Sequence, residues 1–283
     1  MLIDPRPRNL DVICAGEAHL NAARPEQASA SDRRVSLRPG GGAVRVAVSL
    51  AKQGLYVGLA TVLADDSTGR AFRAKIAASG VDAAGVELAP PTQGLVLVRG
   101  GARQVVASRE QEQPIAVPES WSARVLLLSG VSPTVSCNAA LCKAARAARR
   151  VGTIVVVDLN ASWALWQGRD SRAVHMLLRE ADVVSCTAQD LFALAMAVPT
   201  LRAALRATAV LVLSDGAGHT LASGPFGEVT HARPPATAVG PLREGDAFTA
   251  AICFELARSG HANEGGGALW ARALRRSSTF RPG

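Results

Sequence analysis

Aromatic residues are scarce in this chain, 4% of 283 positions, with one tyrosine among them. Apolar residues still reach 48%. The core must therefore be built mostly of Ala, Val and Leu, which favours layered α/β packing over an aromatic-rich β-sandwich. Lysine is nearly absent: Lys52, Lys75 and Lys143 stand within a Lys+Arg total of 31. The formal charge of +8 is thus carried by arginines, and these are scattered along helical segments, as at Arg146, Arg149 and Arg150. Scattered arginines without aromatic interleaving read as solvated helix faces and argue against a nucleic-acid partner. No run of about 20 apolar residues could span a membrane. The opening "MLIDPRPRNLDVICAG" lacks the apolar stretch of a signal peptide. The five cysteines, Cys14, Cys137, Cys142, Cys186 and Cys253, form no C-x-x-C pair and no zinc-like spacing. They read as small core residues of a reduced, cytoplasmic protein. Also missing are a G-x-S-x-G elbow, a Ser-His-Asp order, a Walker A lysine and a complete G-x-G-x-x-G, which argues against hydrolase and P-loop chemistry.

What is present is alternation. Short apolar runs such as "LDVICAG", "ARVLLLSG", "TIVVVDLN", "DVVSCT" and "VLVLSDG" are each followed or preceded by a segment of helical period. Such a pattern predicts one domain over residues 1–283, a doubly wound, mostly parallel sheet flanked by helices. Two stretches, about 17–38 and 92–110, break the alternation and read as a small β lid. In doubly wound sheets ligands sit beyond the carboxyl ends of the strands. Those ends carry Gly16-Glu17, Asp65-Asp66, Asp158-Asn160, Thr187-Asp190 and Ser214-Gly216.

Several of these positions have both a functional and a plainer reading. "RPGGGAVRVAVSLAKQG" opens a helix on three glycines, which brings backbone N–H groups close to a polar ligand or merely turns the chain. Asp158 and Asn160 end a buried strand and either bind ligand hydroxyls or cap a turn. Gly216 and Gly218 follow a strand, where they admit a nucleotide or a tight turn. Asp246, after Gly245, opens the helix "GDAFTAAICFELARSG". A lone acid there is most often a cap, yet the same placement suits a general base beside helix N–H groups that stabilise phosphoryl charge.

The order of the motifs is more specific than any one of them. "DVICAGE", "RPGGGAVRVAVSLAKQG", "VGLATVLADDSTGRAFRAKIAASGVDAAGV", "VVVDLNASWALW", "ADVVSCTAQDLFAL", "VLVLSDGAGHT" and "GDAFTAAICFELA" together resemble the PfkB carbohydrate kinases. The likeness extends along almost the whole chain and is nearest to the 2-keto-3-deoxygluconate kinase and fructokinase branch. It implies a ribokinase-like fold in which ATP and a sugar or sugar acid bind between lid and core. It further implies Mg²⁺ on the nucleotide phosphates and the option of a homodimer through the lid. By the resemblance Asp246 is the general base and Arg243, Glu244 and Gly245 form the anion-hole turn. Asn21, Gly41, Gly42, Arg45 and Asn160 fall on the sugar side, and Thr187, Ser214, Gly216 and Gly218 on the nucleotide side. Asp190 falls on the Mg²⁺ element. Five positions depart from the pattern. Arg243-Glu244 replaces a small pair, Arg45 and Thr187 each replace an asparagine, and Ser162 stands where keto-acid kinases place an arginine. Together they leave open a degenerate member that binds a sugar or nucleotide without phosphoryl transfer.

Overall fold

The computed structural model describes residues 9–23, 36–90, 95–99, 102–105, 115–130, 135–161, 166, 171–215, 218–232, 244–259 and 266–277. Among the described residues, thirteen strands and eight helices are placed. The strands are β1 (Leu10–Gly16), β2 (His19–Ala23), β3 (Ser36–Gly40), β4 (Val57–Ala64), β5 (Val86–Ala89), β6 (Leu95–Arg99), β7 (Ala102–Val105), β8 (Ala123–Ser129), β9 (Ile154–Asp158), β10 (Val183–Thr187), β11 (Val210–Ser214), β12 (His219–Gly224) and β13 (Gly227–Ala232). The helices are α1 (Gly42–Lys52), α2 (Ser67–Ala78), α3 (Val135–Arg150), α4 (Arg172–Leu178), α5 (Ala188–Ala193), α6 (Val198–Ala204), α7 (Glu244–Ser259) and α8 (Gly266–Arg276).

Nine strands form one sheet in the order β13-β12-β11-β10-β9-β8-β1-β4-β5. From β11 to β5 every neighbouring pair is parallel; β12 and β13 add an antiparallel hairpin. Strand periodicity decides which layer each side chain joins. Val12, Cys14, Val125 and Leu127 point into the layer of α1, α2, α7 and α8. Ile13, Ala15, Leu126 and Leu128 point the other way, toward α3, α4, α5 and α6. The central strands are buried on both faces, as their unbroken apolar runs require. A second sheet, β3-β2-β6-β7, has four strands.

Helix starts follow local chemistry. Asp66 caps α2 by accepting from the Gly69 N–H at 2.7 Å. Thr187 and Asp190 close the start of α5 as a reciprocal capping box. At the far end of α7, buried Glu255 accepts from Arg276 Nε at 2.5 Å and Arg272 Nε at 3.3 Å. The Arg276 guanidinium also lies 4.4 Å from the Phe254 ring centre, so α8 braces the helix that carries Asp246. Among the described residues no helix is long and apolar enough to cross a membrane.

Candidate active site

The carboxyl ends of β1, β8 and β9 lie side by side, with Gly16 opposite Ser129 and Ser129 opposite Asp158. Above them begins α1. Its first turn needs glycine for two separate reasons. Gly41 has φ 111° and its missing Cβ would fall 2.2 Å from the Glu17 carbonyl oxygen. At Gly42 a Cβ would meet Ser129 Oγ at 2.2 Å, Asn160 Nδ2 at 2.5 Å and Asp246 Oδ1 at 3.4 Å. Four separate segments therefore pack together at Gly42, leaving no room even for a methyl group. Asn160 is held there with φ 38°, a conformation that is rare outside glycine. Conformational strain of this sort collects at functional sites.

Asp246 lies in the first turn of α7 and is 3% exposed. Gly245 beside it is exposed, and nothing lies within 4 Å of the position its Cβ would take. Of Glu244 the backbone alone is described, in the first turn of α7, and Arg243 lies outside the described residues. The partner of the Asp246 carboxylate is Arg45, one turn into α1. Its Nε donates to Oδ2 at 2.6 Å and its Nη2 to Oδ1 at 3.2 Å.

Asp158 is a second buried acid of the site. Burial raises its pKa well above the ordinary carboxylate value, and the charges of Asp190 and Asp246 push it the same way. Hydrogen bonds from Ser129 and Thr249 oppose the shift without cancelling it. Asp190 is the third. Burial raises its pKa too, against hydrogen bonds from Thr187 and Ala161. Its Oδ1 accepts from the Ala161 N–H at 2.7 Å. Its Oδ2 accepts from the Thr187 N–H at 2.7 Å and from Thr187 Oγ1 at 2.8 Å. With both oxygens engaged and the residue 6% exposed, Asp190 fits poorly as a direct ligand of Mg²⁺. Among the described residues no group of three or more His, Cys, Asp or Glu could hold a metal ion.

A second concavity lies beyond the ends of β11, β12 and β13. It encloses about 380 Å³ and is lined by Ser214, Asp215, His219, Thr220, His231 and neighbouring apolar side chains. Its volume suits a small-molecule moiety. Gly218, at φ 104°, turns the chain beside it, and Gly216 lies outside the described residues. Asn21 belongs to the other sheet, in β2, paired with Arg38 of β3 and Val96 of β6. The predicted residues thus divide. Gly41, Gly42, Arg45, Asn160 and Asp246 come together, Thr187 and Asp190 lock α5 to the β9 end, and Ser214 lines the second cleft. Ser129 was missed by sequence reasoning. Its one signal was a polar residue closing the apolar run "ARVLLLSG".

A mostly parallel sheet with two clefts at its carboxyl end and a buried acid at a helix start defines a ribokinase-like sugar-kinase fold. The profile described as pfkB family carbohydrate kinase matches residues 9–279, and the chain belongs to that family. It is similar to 5-dehydro-2-deoxygluconokinase of Shouchella clausii (strain KSM-K16), with 30% identity over 190 residues, 60% of this chain. The match spans 57% of that relative's length. Among solved structures it is similar to the PfkB protein from Polaromonas sp. JS666, with TM-score 0.72 and 26% identity, covering 96% of this chain and 95% of the other. It is also similar to aminoimidazole riboside kinase from Salmonella enterica, solved with aminoimidazole riboside and an ATP analogue. That pair has TM-score 0.74 and 22% identity, covering 94% and 90% of the two chains.

Proposed function

We propose that this chain transfers the terminal phosphoryl group of ATP to a hydroxyl of a sugar or sugar acid. The observation that carries the reading is the convergence of buried Asp246 with Gly42, Ser129 and Asn160 at one point. An acceptor seated beside these residues would place a hydroxyl against the Asp246 carboxylate. Asp246 then takes the hydroxyl proton as oxygen attacks phosphorus. The backbone N–H groups of Glu244, Gly245 and Asp246 are unpaired by the helix itself and carry its positive end, which suits developing phosphoryl charge. Ser129 and Asn160 would orient acceptor hydroxyls, and the cleft at Ser214 and Thr220 would hold the nucleoside part of ATP. Bound ATP supplies the transferable phosphoryl group, with Mg²⁺ carried on its phosphates. Asp190 is assigned to act on that ion only through water, because its oxygens already serve α5. The four-stranded sheet is assigned as the lid, with Asn21 on its second strand.

A second reading has a specific observation behind it. Arg45 already engages both oxygens of Asp246, which would suit a chain that binds ligands without transferring phosphate. A coupled assay for ADP release across a panel of sugars and sugar acids separates the two. Sugar-stimulated turnover that falls by roughly 10²–10⁴-fold in Asp246→Asn supports the kinase. Ligand binding with no turnover in the parent protein supports the second reading.

A further inference from the structure

The Arg45–Asp246 pair constrains what the acceptor can be. Arg45 follows Gly42 by three residues on α1, so both project from one face of that helix. Its guanidinium meets the carboxylate as a fork, at 2.6 Å and 3.2 Å, with the two side chains only 10% and 3% exposed. A fork of this kind is shaped for a carboxylate. Two of the five N–H donors of Arg45 are used. Among the described residues nothing else accepts from the other three. While the fork is closed, Arg45 takes one acceptor site on each Asp246 oxygen and fixes the orientation of the carboxylate.

Position tells which ligand could open it. Arg45 reaches Asp246 from the wall made by α1, Ser129 and Asn160. The cleft at Ser214 and Thr220 lies on β11 and β12, and β10 and β9 separate β11 from β8. At roughly 4.8 Å per strand the nucleotide side is more than 10 Å away. The nucleoside part of ATP is therefore out of reach of Arg45, and its terminal phosphoryl group is common to every acceptor, so the group that discriminates at Arg45 belongs to the acceptor. A neutral sugar has no group that rivals a carboxylate for a guanidinium fork; a sugar acid has one. The charge balance permits the exchange. Asp158 is held toward its neutral form by burial, and the starts of α1 and α7 both bring positive helix ends to the Arg45–Asp246 pair.

We infer that Arg45 is a latch and a selector. At rest it holds Asp246, and the carboxylate of a sugar acid draws part of the fork to itself, turning one Asp246 oxygen toward the acceptor hydroxyl. A neutral sugar of the same skeleton leaves the latch closed. This rests on the assignment of Asp246 as base and of the α1 wall as acceptor side. No bond is made or broken in the exchange. Arg45 acts on the reaction through Asp246 and is a positioning residue.

The test is calorimetric binding and coupled turnover with matched pairs, for example 2-keto-D-gluconate with D-fructose and D-gluconate with D-glucose. The members of each pair differ at one carbon by carboxylate against alcohol or aldehyde. Wild type, Arg45→Asn, Arg45→Lys and the double variant Arg45→Asn/Asp246→Asn are compared. The expected result is at least tenfold tighter binding of one acid than of its neutral partner in wild type. That preference should fall to within about twofold in Arg45→Asn and in the double variant, where no buried acid is left unpaired. Arg45→Lys should recover part of it, since charge returns without the fork. Absence of any acid preference across the panel in wild type overturns the inference, whether or not Arg45→Asn folds. So does a preference that survives both asparagine variants. An Arg45-dependent acid preference without turnover would remove the kinase assignment and leave the selector standing. Turnover that is as fast on neutral sugars would do the reverse.

Discussion

Ser129 donates its hydroxyl to Asp158 Oδ2 at 2.8 Å, and the two residues are register partners at the ends of β8 and β9. Neighbouring parallel strands thus place an acid and a hydroxyl on the same face, directly beneath Gly42. Burial pushes Asp158 toward its protonated form, which keeps a bare charge out of the sheet, while the Ser129 bond favours the ionised form and opposes that shift.

The sign of the pH dependence follows from that shift. Burial, then the charges of Asp190 and Asp246, raise the folded-state pKa of Asp158 above its ordinary 3.8. The folded chain keeps this proton to higher pH than the unfolded chain does. Between the two pKa values, rising pH therefore costs stability. Asp158→Asn, which imitates the neutral form, should match wild type near pH 3 and gain on it as pH climbs above 4. The relative gain should reach the order of 1 kcal/mol or more by neutral pH. Urea unfolding at a series of pH values measures it; a difference that stays flat from pH 3 to pH 8 would show that Asp158 is not shifted.

Gly41 and Gly42 are adjacent, yet alanine should act differently at each. In Gly41→Ala the new Cβ meets a backbone oxygen, Glu17 O at 2.2 Å, at φ 111°. Neither can yield, and a loss of about 1–3 kcal/mol in stability is expected. In Gly42→Ala the obstacles are side-chain atoms, Ser129 Oγ at 2.2 Å and Asn160 Nδ2 at 2.5 Å, which turn aside at a cost of about 1–3 kcal/mol, and alanine's helix preference returns up to about 1 kcal/mol of it. Its thermal loss should therefore be the smaller of the two, while kcat/KM for the acceptor falls tenfold or more, about 1.4 kcal/mol in the barrier. A larger thermal loss in Gly42→Ala than in Gly41→Ala would contradict this contrast.

Removing the cation from the site should be costly in itself. Arg45→Met leaves Asp246 buried without its partner, and a loss of about 3–5 kcal/mol is expected. Arg45→Met/Asp246→Asn removes the stranded charge and should recover most of that. A double-mutant cycle by chemical denaturation reads the coupling directly; additive losses would mean that the pair contributes nothing to the fold.

Thr187 and Asp190 offer a graded comparison. Thr187→Ala removes the hydroxyl half of the α5 capping box and should cost roughly 0.5–2 kcal/mol. Asp190→Ala should cost more, because it releases the Ala161 N–H as well as both Thr187 donors. If Asp190→Ala proves the milder of the two in thermal unfolding, the acid is not the tie between α5 and the β9 end.

Most of the parallel sheet was legible from the chain because its strands are buried on both faces and read as unbroken apolar runs. The β12–β13 hairpin was not. β13 alternates exposed and half-buried positions without a strong apolar member, and glycines bound both strands. β5 has four residues, too short to carry a period. Within the site, the glycines, Asn160 and Asp246 could be located by motif order. Their distances could not, since Gly42 and Asp246 are some 200 residues apart. The Arg45–Asp246 pair is the clearest case: each residue was a candidate on its own, and only the approach of α1 to α7 joins them. For Asp190 the motif pointed to a metal ion, whereas the local chemistry of Thr187 at a helix start claims the same carboxylate.

The strand order also bears on how the chain is made. From β8 to β13 the strands lie in the sheet in the order of synthesis, so each can pair with its predecessor as it leaves the ribosome. β1 is different. It lies between β4 and β8 and keeps one open edge until residues 123–129 have been translated. Pairings of such long sequence separation form slowly and leave apolar edges exposed meanwhile. The cluster at Gly42 needs β8, β9 and finally α7, so it exists only once nearly all of the chain has emerged. A nascent chain stalled before residue 244 would hold most of the sheet but no Asp246.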